Sequence, residues 1–342
     1  MHHALQIGAG RMGRNWLTEV IPIFPERLDI IGLADIDKTN LENASKLINL
    51  SSERQYTDID TALSRTQADC CIVVTTPNSH KDAIIKAIDR GLHILTEKPL
   101  ADTWEDSEMI YHKAKSSGVK VQVVQNYRYE PPNIMFHEML NSGELGRINY
   151  IVAQFLADYR KKFSWGSMFR HEIDHALLIE GSIHHLDMLR YFSRSDCLFI
   201  SGFEWNPDWS SSKGELNGLF VGEMMNGVKL LYEGSGVAAG KQAPWDNEYY
   251  RAECENGSLI LDTDGQLTFV QKGLPARSIK IREFEFTGHQ YVLQSFLDWL
   301  DHDKVPDTNI EDNIKSTAML FGAIKAAKSH SVVNVRDMFS HY

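Results

Sequence analysis

The sequence predicts an α/β protein: an N-terminal doubly wound parallel sheet followed by an α+β domain with a large, mostly antiparallel open sheet. Three observations carry that expectation. The 342 residues suffice for two compact domains. Short apolar runs alternate with helix-period segments over the first third of the chain. After about Asn126, longer strand-like runs follow one another with Gly, Asn and Asp turns between them. The expected division is therefore 1–124 and 125–342.

In the first part, the runs 4–8, 28–34, 70–75, 92–96 and 119–124 lack polar alternation, as strands covered on both faces do. Parallel strands need crossovers, and the segments between these runs read as helices. Over 80–88 the apolar Ala83, Ile84, Ala87 and Ile88 form one stripe for the sheet, and Gly91 stops the helix. In the second part, strands are expected at 148–157, 218–221, 228–233 and 258–262. Helices are expected at 133–140, 183–191, 290–300 and 309–328.

Composition narrows the function classes. With 43% hydrophobic and 24% charged residues, the chain reads as globular and not as disordered or low-complexity. Asp and Glu (46) outnumber Lys and Arg (35), giving a net charge of −11 with no basic cluster, so neither nucleic acid nor an anionic membrane is an expected partner. No apolar run approaches the ~20 residues a bilayer requires. The N-terminus passes straight into a strand-like run, so no signal peptide is expected. Cys70, Cys71, Cys197 and Cys254 show no CxxC spacing, which suits a reducing, cytoplasmic location.

The chemistry begins at Gly8-Ala9-Gly10-Arg11-Met12-Gly13, between the first run and a helix. The first glycine permits the turn, the second lets the backbone approach a pyrophosphate, and the third allows close helix–strand packing. Such a turn can also be purely structural. Asp35, 22 residues beyond Gly13 at the end of the second run, adds weight, because a carboxylate there accepts from adenosine ribose hydroxyls and repels a 2′-phosphate. That favours NAD over NADP, with Lys38 keeping NADP open. Thr75, Thr76, Pro77, Asn78 and His80 follow the 70–75 run, and Glu97 and Lys98 follow the 92–96 run. Those are the sheet ends where a Rossmann cofactor lies.

Gly8–Gly13, Thr-Pro-Asn-Ser-His (76–80), the 91–100 segment with Glu97-Lys98-Pro99, and Tyr127-Arg128-Tyr129-Glu130-Pro131 resemble, in order and spacing, the glucose-fructose oxidoreductase / inositol dehydrogenase / rhizopine catabolism (Gfo/Idh/MocA) family. The resemblance covers essentially the whole chain. It implies that Lys98 lies near nicotinamide and substrate, and that Asn126 borders the cofactor. It also implies that His184, in Glu180-Gly181-Ser182-Ile183-His184-His185-Leu186-Asp187, is the acid/base. Glu180 stands where the family usually has aspartate, and Leu177-Leu178-Ile179 replaces a glycine run, so a reshaped substrate pocket is expected.

Elementary chemistry agrees: oxidising a secondary alcohol needs a base such as histidine and a cationic donor such as lysine. Structural readings remain beside these, with His184 a packed helix-start residue and Lys98 an ion-pair partner of Glu97. Tyr127, Arg128, Tyr159, Trp165, Arg170 and His171 could line a polyhydroxylated substrate, with Trp245, Asn247 and Tyr249 weaker candidates. His171-Glu172-Ile173-Asp174-His175 fits the HExxH zinc-hydrolase pattern, although no metal is expected. An NAD-using glycosidase and a non-catalytic dinucleotide-dependent regulator are the other rivals. The 149–157 run is apolar on both faces and predicts a homodimer or homotetramer through the C-terminal sheet.

Overall fold

The computed structural model describes residues 1–339. It divides into two compact units, residues 1–129 with 286–314, and residues 130–285 with 315 onward.

In the first unit the order is β1 (His2–Ile7), α1 (Arg11–Asn15), β2 (Leu28–Ala34), α2 (Lys38–Leu47), β3 (Gln55–Tyr56), α3 (Ile59–Arg65), β4 (Cys70–Val73), α4 (Pro77–Asp89), β5 (His93–Thr96), α5 (Trp104–Ser117) and β6 (Val121–Val123). Every pairing in this sheet is parallel, in the order β3-β2-β1-β4-β5-β6. That is the doubly wound arrangement expected. The order reverses between β1 and β4, and a crevice at such a switch point is where these sheets bind ligands. The two-residue β3 is too short to stand out as an apolar run. On α4, Ala83, Ile84, Ala87 and Ile88 are all buried, as their spacing predicts.

The second unit contains α6 (Pro131–Asn141), β7 (Ile148–Leu156), α7 (Ile183–Ser193), β8 (Cys197–Trp205), β9 (Asn217–Met224), β10 (Lys229–Ser235), β11 (Tyr249–Cys254), β12 (Gly257–Leu261), β13 (Leu267–Gln271) and β14 (Arg277–Ile279). After α8 (Gly288–His302) and α9 (Ile310–Ser329) comes β15 (Val333–Asn334). The nine strands run β14-β13-β12-β11-β7-β10-β9-β8-β15, antiparallel except for β7 with β10. Phe155, Phe220, Tyr232 and Tyr250 fill the covered face, and Tyr250 meets Phe136 of α6 and Phe192 of α7.

One boundary differs from the sequence reading, which left everything after 124 in one domain. Residues 286–314 join the first unit. Val292, Leu293, Phe296 and Leu297 make one fully buried stripe on α8 and enter the cluster of Trp16, Leu33, Ile72 and Leu95. Gln122 donates to Ser295 Oγ at 2.9 Å, and Tyr129 stacks on Tyr291 at 4.3 Å.

Candidate active site

In the first unit, Gly8 has φ 106°, and a Cβ on it would lie 2.3 Å from the Val74 carbonyl oxygen. A Cβ on Gly13 would lie 2.3 Å from the Gly8 oxygen. Backbone contact therefore demands both glycines. At Gly10 a Cβ would meet no protein atom within 4 Å, and Gly10 caps α1 without any side-chain hydrogen bond. Uncapped amides beside open space fit the pyrophosphate of a dinucleotide. Arg11 is exposed and Met12 half-buried on the same turn. Asp35 follows β2, its Oδ2 accepting from Ala9 N at 2.6 Å and its Oδ1 from Asp37 N at 2.8 Å. The carboxylate braces the glycine turn, and each oxygen keeps a second lone pair that can accept from a ribose hydroxyl.

Thr75 and Thr76 lead into α4, where Thr76 Oγ1 donates to Asn78 Oδ1 at 2.7 Å and Pro77 takes the first helical position. His80 does not fit the cofactor-binding role expected of it. It is fully buried, with Nδ1 2.9 Å from the Pro99 oxygen and Nε2 3.1 Å from the Thr75 oxygen. It acts as a strut between the turns after β4 and β5. Glu97 is buried and accepts from Trp16 Nε1 at 2.8 Å, with His289 Nε2 at 3.7 Å. Burial by itself would raise its pKa, but His289, Trp16 and the charge of Lys98 hold it below the usual carboxylate value. Lys98 follows, half-buried, just past the carboxyl end of β5.

Asn126 and Tyr127 are buried in the short turn after β6. Arg128 departs from the substrate-binding role expected of it. Its side chain is 4% exposed and is committed to Asp312 at 2.7 Å and to the Asp307 oxygen at 3.1 Å.

In the second unit, a π-helical turn over Leu177–Ser182 runs directly into α7, placing Glu180 and His184 four residues apart, both buried. π-Turns recur at functional sites. Arg170 donates from Nε to Glu180 at 2.9 Å and from Nη1 to the Trp165 oxygen at 3.0 Å. Its guanidinium lies 4.9 Å from the Trp245 ring, and Trp165 stacks on Tyr159 at 4.8 Å with a 5° tilt. A buried carboxylate needs such a cation, since an unpaired charge there would be costly. Burial pushes the Tyr159 phenol up to about 12 and His185, which stacks on Phe155, down to about 3, so both are neutral at pH 7. Asp187 accepts from Ser316 Oγ at 2.5 Å, with Arg190 at 3.8 Å.

The HExxH residues do not share a helix. His171 ends a 3-10 turn and is 1% exposed, with burial lowering its pKa, whereas His175 has a left-handed backbone at φ 52°. The i, i+4 histidine pair of a zinc-hydrolase helix is therefore not formed. Sequence reasoning missed Trp16 and His289 beside Glu97, and Glu204 and Glu215 beside His175. No local pattern marks partners dozens of residues away.

A glycine turn at the switch point of a Rossmann sheet, joined to a unit carrying a buried carboxylate–histidine helix, defines a class of nucleotide-binding oxidoreductases. The chain belongs to the Gfo/Idh/MocA oxidoreductase family: residues 3–125 match the NAD-binding Rossmann-fold model and residues 135–260 its C-terminal domain. An uncharacterised protein of Sinorhizobium fredii, y4oX, is 31% identical over all of this chain and 98% of its own. The Bacillus subtilis scyllo-inositol 2-dehydrogenase (NAD(+)) is 28% identical over 57% of this chain and 55% of its own length. In fold, the chain matches an Agrobacterium radiobacter oxidoreductase solved with NAD+, L-tartaric acid and magnesium. That match has a TM-score of 0.87 at 18% identity, covering 98% of this chain and 99% of the other.

Proposed function

We propose that this oxidoreductase is an NAD-preferring dehydrogenase acting on a secondary hydroxyl of a sugar, cyclitol or sugar derivative. The observation that carries the reading is the pairing of half-buried Arg170 with buried Glu180, set among Tyr159, Trp165 and Trp245 and one helical turn ahead of His184. Aromatic faces with a bidentate cation suit a polyhydroxylated ring. His184 takes the hydroxyl proton, Lys98 holds the oxygen as charge develops, and Glu180 orients the substrate. NAD, held by the Gly8–Gly13 turn and Asp35, would supply the hydride acceptor. The relatedness to an inositol dehydrogenase supports the substrate class.

The preference for NAD rests on Asp35. The exposed face of the nine-stranded sheet, where Phe203, Leu219, Val221 and Leu231 crowd together, is read as the contact with a second copy of the chain. Among the described residues no helix is long and apolar enough to cross a membrane. The four cysteines are unpaired, in keeping with the cytoplasm.

The test is an NAD-linked screen of cyclitols, aldoses, sugar acids and glycosides, followed by NADH absorbance. One polyol should give turnover with NAD and weaker turnover with NADP, and Asp35→Ser should narrow that preference. Product formed without net NADH would point to the glycosidase chemistry instead. A wild type that prefers NADP would remove the role given to Asp35.

A further inference from the structure

The HExxH stretch is not used as its pattern suggests, yet one of its histidines sits among carboxylates from elsewhere in the same unit. His175 Nδ1 lies 2.6 Å from Glu204 Oε2 on β8 and 3.5 Å from Glu215 Oε2 just before β9. These ligand atoms all lie within 4.8 Å of one another. We propose that His175, Glu204 and Glu215 form a binding site for a divalent transition-metal cation of the zinc or manganese kind, separate from the dehydrogenase residues and structural in role.

Three observations support it. The first is charge. Two carboxylates facing one imidazole leave a net negative charge whether or not the ring is protonated, while a divalent cation on a neutral ring balances them. The exposed Lys328 also acts on His175 and Glu204, but as the smallest of the influences on each.

The second is an unused ligand. The Glu204 side chain is 2% exposed, and its Oε1 is buried without a hydrogen-bond partner. A buried acceptor left unmatched is costly, and the carboxylate that carries it already faces His175.

The third is preorganisation. Glu215 Oε2 also accepts from the His175 backbone N at 2.8 Å, and Leu177 N donates to the Glu215 backbone carbonyl oxygen at 3.0 Å. The ligand-bearing segments are therefore already fastened together.

With metal–ligand bonds of about 2.0–2.2 Å, ligand atoms around a tetrahedral ion lie roughly 3.4 Å apart. The 3.5 Å pair meets this, and the 2.6 Å pair has to open by less than an ångström. A metal-bound Nδ1 carries no proton, so binding would release to solvent any proton held there. One imidazole with two carboxylates suits zinc or manganese better than calcium. The cation would pin the residues leading into the Leu177–Ser182 turn, and through it Glu180.

The experiment uses the full chain, dialysed against chelator and then titrated with cobalt(II), read by its visible absorbance, and with zinc(II), read by thermal unfolding. Saturation at one equivalent, with a rise in melting temperature, is expected. Glu204→Gln and Glu215→Gln should each weaken binding by at least about 100-fold, since a direct ligand outweighs the roughly 10- to 100-fold effect of a supporting residue. Glu215 is 33% exposed, so its substitution spares the fold and keeps the test decisive if Glu204→Gln is unstable. Wild-type protein that takes up no metal, or binds it no more tightly than the two variants, would overturn the proposal and leave His175 as an organic counter-ion. Neither readout involves NAD or substrate, so the result is independent of the dehydrogenase reading.

Discussion

At the scale of single residues, the proposed chemistry stands on two side chains from different elements. If His184 accepts the proton and Lys98 steadies the oxygen, His184→Ala and Lys98→Met should each lower turnover by roughly 10²–10⁴-fold. The double variant should be little worse than the poorer single, because both serve one step. Steady-state kinetics at neutral pH on the best substrate would settle this, and near wild-type turnover in His184→Ala would end the assignment. His185 and Tyr159 would be poor replacements, being held neutral by burial on opposite sides of pH 7. Glu97 gives a pH-dependent test. Its folded pKa lies below the ordinary value of about 4.3, so its contribution to stability is fully present above that pH and is lost as pH falls through the folded value. Urea unfolding at pH 7 and near pH 3 should show wild type losing more stability on acidification than Glu97→Gln. Equal losses would mean that the Trp16 and His289 contacts do not favour the charged form.

At the scale of elements, the decisive contact is between α7 with its preceding π-turn and the strand beneath it. A Cβ on Gly181 would lie 2.6 Å from Phe155 Cε1, and Phe155 is itself stacked between His185 and Trp245. Gly181→Ala should therefore destabilise the protein by about 1–3 kcal/mol, as overpacking does in a filled core. It should also move Trp245, which lies over Arg170, so substrate KM should rise more than kcat falls. Chemical denaturation together with kinetics would check both, and a neutral effect on each would show that Phe155 can yield without strain. Glycines in the first unit answer to a different demand. At Gly8 and Gly13 the obstacle is backbone, which cannot swing aside as a ring can.

At the scale of the whole molecule, the nine-stranded sheet covers one face with helices and leaves on the other a row of large apolar side chains. Phe203 is 61% exposed and Val221 55%. Along the ladder Phe203 pairs with Leu219, and Val221 with Leu231, so they form a continuous surface and not scattered exposures. Val221→Asp with Leu231→Asp should convert an oligomer to a monomer in sedimentation velocity while leaving the far-ultraviolet circular dichroism unchanged. A wild type that sediments as a monomer at micromolar concentration would remove this face as an interface.

What the sequence determined by itself was local in origin. The apolar runs and the α4 stripe marked strands and helices because burial on both faces, or on one, imposes its own period. The glycine turn was legible because only glycine satisfies the left-handed φ and the close backbone approach it needs. Glu180 and His184 were singled out by the family resemblance alone, which implies their roles. Tertiary structure alone decided what depends on distant partners. It gave α8 to the first unit through an apolar stripe whose complement, from Trp16 to Leu95, lies about 200 or more residues away. It turned His80 and Arg128 inward as a strut and an ion pair. It separated His171 from His175, and it set the latter against Glu204 and Glu215. A short motif states which side chains are available, but the backbone path and the charges it gathers decide which of them meet.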